Sequence, residues 1–342
     1  MRQTALNQDT ILPWCPPNGS PRIAGACAAV EKSIMAKNLS YLNRPEYLLQ
    51  PKAVLRRLFG LPRAPGGLRI VQLNWGLPLE VDTREDMGVL IARTLIFDLC
   101  VAEAIFRLTD PADVFLDIGA NSGFMSSAAV AAGAKKIVSF EPHPEVFRQL
   151  KRNISLWAEV HPRILDRITA RQEAVSDKKG TAMLRIPDRR FQRNRGLATL
   201  EAGRGGESYS EVEVPTITLT RVVEQCGEPI GVLKIDIEDH ELTALTASQD
   251  SLQAGRVRDI IFEDHEGMNS KVSQLLSRFG YSVFNLNKTP LGPVLLDSEA
   301  FANWVLATGD YNFLATLDPD RALRRMSGRG FMCLRNKHKL PA

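Results

Sequence analysis

The stretch Val114-Phe115-Leu116-Asp117-Ile118-Gly119-Ala120-Asn121-Ser122-Gly123 decides how this chain folds. A short apolar run broken only by Asp117 predicts a buried strand, and residues 124–132 that follow have helical spacing. Strand, tight glycine turn and helix in that order form the first half of a βαβ unit. In a doubly wound sheet the ligand crevice opens at the carboxyl ends of the strands, so the turn at 119–123 faces a ligand. Gly119 and Gly123 remove side chains where the backbone turns sharply and approaches a bound group.

The next strand-like run, 136–140, ends in a second acid, Glu141, placed 22 residues after Gly119. That offset is close to the roughly 20 residues expected of a carboxylate that binds ribose hydroxyls. A dinucleotide site would want G-x-G-x-x-G, but Asn121 and Phe124 stand where the later glycines belong. Asp117 beside the turn would repel phosphates and suits a cationic ligand. S-adenosylmethionine carries a sulfonium and an ammonium, no phosphate, and a ribose for Glu141. It is therefore the expected cofactor, with Asp117, Gly119, Asn121, Gly123 and Glu141 as its first contacts. Glu173 and Ala174, at the end of a third run over 168–175, are the expected neighbours of its adenine.

Working outward, strand-like runs at 114–118, 136–140, 168–175, 232–237, 259–263 and 281–285 alternate with helical segments. These helices are expected at 124–132, 144–156, 219–225, 241–248 and 271–279. The alternation predicts an α/β fold: a doubly wound, mostly parallel sheet with helices on both faces. Residues 177–213 break the rhythm, being polar, basic and glycine-rich with one strand-like piece at 183–186, where an active-site loop is expected. Before the main domain, a helix is expected over 39–59, two short strands at 68–73 and 77–81 around a turn at 74–76, and an amphipathic helix over 91–108. Residues 1–34 read as a disordered tail, 35–110 as an N-terminal helical and short-strand extension, 111–317 as the cofactor-binding domain, and 318–342 as a basic, solvated C-terminal tail.

Four segments together resemble the FkbM family of methyltransferases. Asp117-Ile-Gly-Ala-Asn-x-Gly123 and Phe140-Glu-Pro-His-Pro144 are similar to its first two motifs. Val214-Pro-Thr-Ile-Thr-Leu219 is similar to the segment before its later motif, and Lys234-Ile-Asp-Ile-Glu-Asp-His-Glu241 resembles the hallmark K-x-D-x-E-G-x-E. The resemblance spans residues 97–284 and implies a Rossmann-like methyltransferase sheet and methyl transfer, usually to a hydroxyl of a sugar, polyketide or other natural product. Asp239 replaces the hallmark glycine, and Thr220 stands where the family often has aspartate. An aspartate tolerates the positive φ that a glycine would supply better than most residues do.

Methyl transfer to an alcohol needs a base at the attacking oxygen. Asp236, Glu238 and His240 follow the fourth run, and Glu263 and His265 follow the fifth, so a parallel sheet opens both clusters into one crevice. His265, able to titrate near neutrality, is the first candidate base, with Glu238 or Glu263 next. Asp236 is expected to line the methyl-transfer pocket between cofactor and acceptor. Mg²⁺ would find oxygen ligands in these clusters, but they fix no ligand spacing, and no metal is expected.

The chain has 342 residues, 44% apolar and 24% charged, with a formal charge of +4. That balance excludes a disordered or collagen-like chain and gives no electrostatic reason for nucleic acid. Five dispersed cysteines without a CxxC pair read as free thiols of a reducing compartment. No run approaches a membrane span, so a soluble, cytoplasmic protein is expected. Its expected partner is a small-molecule or saccharide acceptor, and a homodimer is left open. Two alternatives stand beside this reading: a protein that binds the cofactor without catalysis, and a methyltransferase acting on RNA or protein.

Overall fold

The computed structural model describes residues 66–187, 195–201, 208–304 and 311–335, and the single residue Pro45. An antiparallel hairpin opens the described chain, β1 (Leu68–Gln72) against β2 (Pro78–Asp82). Its turn carries Trp75, fully buried against Phe106 and Phe124, with Nε1 donating to Ser127 Oγ. This is the short-strand pair expected from the sequence. The tail expected at 1–34 and, apart from Pro45, the helix expected at 39–59 lie outside the described residues.

The expected helix over 91–108 is two helices, α1 (Asp86–Thr94) and α2 (Leu99–Leu108). Leu95 ends the first at φ 57, and Asp98 (φ 42) caps the second by accepting from Val101 N. Apolar residues run on through the break, so the spacing alone hides it. The break matters, because it sets Phe97 and Asp98 in the cavity described below.

Strands β3 (Val114–Ile118), β4 (Lys136–Phe140), β5 (Ile168–Arg171), β9 (Ile230–Ile235) and β10 (Val257–Glu263) pair in parallel, in the order β10-β9-β3-β4-β5. Three antiparallel strands extend the β10 edge to eight: β13 (Asn312–Thr316), then β11 (Ser282–Thr289), then β12 (Gly292–Leu296). Alternate residues serve opposite faces. Phe115 and Val232 join a core with α2, α3 (Phe124–Ala132), α4 (Pro144–Val160) and α10 (Pro319–Met326). Leu116 and Leu233 join a second core with α5 (Leu219–Cys226), α6 (Glu241–Thr246), α7 (Gln249–Gln253) and α8 (Lys271–Arg278). A short α9 (Ser298–Ala302) follows β12. The fold is a doubly wound α/β sheet with helices on both faces, as the alternation predicts.

Three expectations change. The run at 168–175 divides: β5 stays in the main sheet, while β6 (Ala174–Ser176) leaves it. The polar interval 177–213 is not a plain loop. It holds most of a separate three-stranded sheet, in which β8 (Tyr209–Thr218) pairs with β6 and with β7 (Gly180–Pro187). The strand-like piece at 183–186 lies inside β7, whose first four residues carry no buried side chain and so give no apolar signal.

The third correction concerns 318–342. Residues 319–326 form α10, and two of its three arginines, Arg321 and Arg325, turn onto the protein, while Arg324 is exposed. Arg321 reaches Asp110, Asp259 and the Leu108 carbonyl, and Arg325 reaches Asp110 and the Arg107 carbonyl. Glu103, fully buried on α2, accepts from the main-chain N–H of Met332 and Cys333. A basic run reads as a solvated tail only while its acidic partners, 62 to 215 residues away, are unseen.

Candidate active site

The carboxyl ends of β3, β4, β9 and β10 open into one cavity of about 440 Å³. Its floor is the turn quoted first. Gly119 has φ 76, and a Cβ there would stand 1.9 Å from the Asp236 carbonyl oxygen. Glycine is needed because β3 and β9 end against each other. Gly123 (φ 90) serves packing instead: a Cβ would meet Leu150 Cδ1 at 2.6 Å and Trp157 at 3.0 Å. It does not line the cavity. Asn121 (φ 49) caps the turn, its side chain accepting from Ser122 N while its own N–H donates to Glu141 Oε2.

Glu141 ends β4 in a Glu-Pro-His-Pro sequence whose pieces have separate uses. His143 caps α4 through Nδ1, Pro144 occupies the first helical turn, and Glu141 Oε1 accepts from His143 N. Burial pushes the Glu141 carboxyl up to about 7, against the two N–H donors that favour its charge. Behind it, Phe140, Ala174, Val175, Leu184 and Leu200 make an apolar slot, with Glu173 at its edge held by Arg171 at 2.5 Å.

Asp117 is not where the sequence reading puts it. The side chain is fully buried beneath the turn, with Oδ2 accepting from Ser126 Oγ. It does not line the cavity. Its direct ionic neighbour is Lys234, whose Nζ lies 3.8 Å from Asp117 Oδ1 and 3.2 Å from Asp236 Oδ2, and donates to the Gly119 carbonyl at 2.9 Å. Burial opposes the charge on Lys234, but Asp236 and Asp117 overcome it and raise its pKa. Asp117 thus acts through Lys234 on the turn. That the fourth residue of β3 stands beside the lysine of a neighbouring strand is invisible in one sequence.

The hallmark segment forms the wall beyond β9. Glu238 and Asp239 both adopt positive φ, 56 and 73. Asp239 therefore keeps the backbone that the family's glycine would supply. Glu241 caps the turn from inside, Oε1 accepting from Ile237 N at 2.6 Å. His240 is buried, with Nε2 2.9 Å from Ser176 Oγ and Nδ1 2.6 Å from Glu201 Oε1. Glu263 at the end of β10 and Asp98 at the start of α2 complete an acidic mouth with Asp236 and Glu238. Burial first, and then the charge of Asp236, push Glu238 and Glu263 each up to about 8. His265 stands at the rim: its side chain is 55% exposed, edge-on to Tyr311 and 3.6 Å from Glu263.

Of the residues expected at the site, the cavity brings together Gly119, Asn121, Glu141, Glu173, Ala174, Asp236, Glu238 and His265, and leaves out Asp117 and Gly123. Sequence reading missed Lys234, Asp98 and the apolar contributions of α1 and the inserted sheet, among them Met87, Leu90, Leu184 and Leu197. Lys234 was within the quoted hallmark, so its motif was a usable signal. Among the described residues, the acids Asp86, Asp98, Glu141, Glu173, Asp236, Glu238 and Glu263 line the cavity, and Lys234 is the one lysine or arginine that does. Such walls favour a cationic ligand and hydrogen-bond donors, and disfavour phosphates. Among the described residues no group of three or more metal-ligating side chains has a cation-holding arrangement, and no helix is long and apolar enough to cross a membrane.

Residues 117–283 match the family model described as Methyltransferase FkbM domain. A search of the curated proteins finds no match. Among solved structures, the chain is similar to an FkbM methyltransferase from Methylobacillus flagellatus KT, at 14% identity and TM-score 0.39, over 60% of this chain and 44% of that one. It spans less than half the length of that structure. A putative methyltransferase complexed with SAH is similar at 10% identity and TM-score 0.41, over 75% and 56% of the two chains. An rRNA methylase from Streptococcus thermophilus is similar at 10% identity and TM-score 0.31, over 63% and 90%.

Proposed function

We propose, from the match of residues 117–283 to the Methyltransferase FkbM domain model, that the chain is an S-adenosylmethionine-dependent O-methyltransferase acting on a hydroxyl of a sugar, polyketide or similar small acceptor. The observation that carries the cofactor is the division of the cavity: an apolar slot of Phe140, Val175, Leu184 and Leu200 beside Glu141, and an acidic end beside Asp236. The first suits a purine and its ribose diol, and the second suits sulfonium and ammonium charge. A cavity of about 440 Å³ lies within the range of small-molecule and cofactor sites.

When bound, S-adenosylmethionine supplies an electrophilic methyl group. The protein's own part is to hold an acceptor hydroxyl and take its proton. Glu238 is the base we favour: like Glu263 and His265 it lines this cavity and a neighbouring one of about 250 Å³, where an acceptor can lie, and of the three it alone sits on the hallmark turn. A carboxyl held near 8 accepts a proton at neutral to mildly alkaline pH far better than an ordinary one. His265 and Glu263 stand next to it at the rim. Asp236, paired with Lys234, keeps negative charge beside the transferred group. Carboxyl groups offer acceptor oxygens throughout this mouth, and Glu238 and Glu263 become acceptor-only once they lose their protons near 8, so it fits a polyhydroxy acceptor that donates. It also disfavours RNA, whose phosphates it would repel. The positive φ retained at Asp239 weakens the reading of a non-catalytic binder, because the loop geometry survives the substitution.

The test is calorimetric titration with S-adenosylhomocysteine, followed by methyl-transfer assays on a panel of glycosides. Glu141→Ala should weaken binding roughly tenfold to a hundredfold through loss of a charged acceptor. Glu238→Gln should keep cofactor affinity and lose about 10²-fold or more in turnover. A parent that does not bind S-adenosylhomocysteine would remove the cofactor reading.

A further inference from the structure

Outside the motifs, the inserted sheet makes one contact with the hallmark turn that its own fold does not need. Thr199 bridges to β7, its N–H and carbonyl exchanging hydrogen bonds with Arg185. That exchange already secures its backbone. Its hydroxyl goes elsewhere: Oγ1 donates to the main-chain carbonyl of Glu238 at 2.6 Å and accepts from Glu201 N at 3.1 Å. Glu201, two residues on, grips His240 Nδ1 at 2.6 Å, and Arg185 Nη1 donates to the Glu201 carbonyl. The insert and the hallmark turn are therefore joined at Glu238 and at His240.

The bond to Glu238 falls where the backbone most needs an outside hold. Glu238 and Asp239 are consecutive non-glycine residues at positive φ, a conformation that L side chains adopt at a cost and keep only when their surroundings enforce it. From inside, Glu241 secures the N–H of Ile237. From outside, Thr199 takes the carbonyl of Glu238. Glu238 lines both cavities, and among the described residues no hydroxyl or cation hydrogen-bonds or pairs with its carboxylate. The hold on this residue is therefore on its backbone, and that anchor point sets where the carboxylate can reach. The neighbours of Thr199, Ala198 and Leu200, line the cavity, whereas Thr199 does not.

We propose that Thr199 is a positioning residue: its hydroxyl, by holding the Glu238 carbonyl, aims the Glu238 carboxylate at the acceptor and couples the inserted sheet to the base. This rests on the reading of Glu238 as the base. Thr199 touches neither cofactor nor acceptor and acts through Glu238.

The measurement is ¹³C-carboxylate NMR of the full chain labelled at glutamate Cδ, titrated over pH, with Glu238→Gln identifying the Glu238 signal. Burial sets that carboxyl at about 8 in the parent. Thr199→Val removes the hydroxyl at nearly constant shape and should lower the midpoint by about one pH unit, a tenfold change in acidity. Thr199→Ser keeps the hydroxyl and should restore the parent midpoint. Thr199→Ala is read alongside, so that the result does not depend on how valine packs. S-adenosylhomocysteine affinity should stay within about twofold in all three, since the side chain does not line the cavity.

An unchanged midpoint in the valine and alanine variants overturns the proposal. So does a serine variant displaced as far as valine, or a loss of cofactor affinity with no change at Glu238. Failure of the underlying reading looks different: Glu238→Gln would then turn over normally while the Glu238 signal still answered to Thr199.

Discussion

A methyl group on Gly119 would stand 1.9 Å from the Asp236 carbonyl oxygen, in a residue already at φ 76. Gly119→Ala must push β3 and β9 apart at the floor of the cavity. It should cost about 1 to 3 kcal/mol in chemical denaturation and weaken S-adenosylhomocysteine binding in the same titration; retention of both would mean that the turn adapts cheaply. The acids opposite make a second prediction, about pH. Glu238 and Glu263 hold their protons to about 8 in the folded chain, against an ordinary value of 4.5. Between those pH values the native state keeps protons that the unfolded chain has released. Stability therefore falls as pH rises from about 5 towards 8. Melting curves over this range should show the fall, and Glu238→Gln should flatten it and raise the melting temperature at pH 8. A Gln variant with the parent's slope would place the raised carboxyl elsewhere.

At the scale of elements, α10 shows how a charged helix is held. Arg321 spans Asp259, which is fully buried, the Leu108 carbonyl and Asp110. Arg321→Ala leaves Asp259 with Arg258 as its remaining cationic partner, so the loss is partial. We expect on the order of 2 to 3 kcal/mol in urea unfolding. Arg221→Ala, which removes an exposed i,i+3 pair with Glu224, should be indistinguishable from the parent. Equal effects of the two would mean that the network around Asp110 is as solvent-screened as a surface pair. Here the sequence was legible only in part. The amphipathic spacing and the Asp-Pro start at 318–319 mark a helix, but the sign of its charge suggested a tail, because the acids that neutralise it lie at 110 and 259.

For the whole molecule, the decisive feature is that β13, near the C-terminus, runs between β10 and β11. The family match ends at residue 283, inside β11, before the strand that joins β11 to the rest of the sheet. A chain ending at Trp304 should therefore lose more than an edge. β10 would expose its unpaired side, Phe262 would lose its stacked partner Phe313, and β11 and β12 would lose their attachment. We expect broad, non-cooperative melting and association on size-exclusion chromatography. A sharp transition at the parent's temperature would show that the parallel strands with their helices suffice.

What the sequence determined by itself was the parallel half of the sheet and the ligand-facing turns. Buried parallel strands are continuous apolar runs, and glycine and acid at their ends are local requirements of turning and binding, so both are written in consecutive residues. Only the tertiary structure decided which acids meet the cavity and which support it. Asp117 and Glu141 both follow strands, yet one is sealed under the turn against Ser126 and Lys234, and the other stands at the slot. The same holds for the split of 91–108, the sheet built from 174–218 and the place of β13. Each depends on pairing between segments far apart in the chain, where a hydrogen bond or an ion pair fixes the outcome and neither partner's neighbours record it.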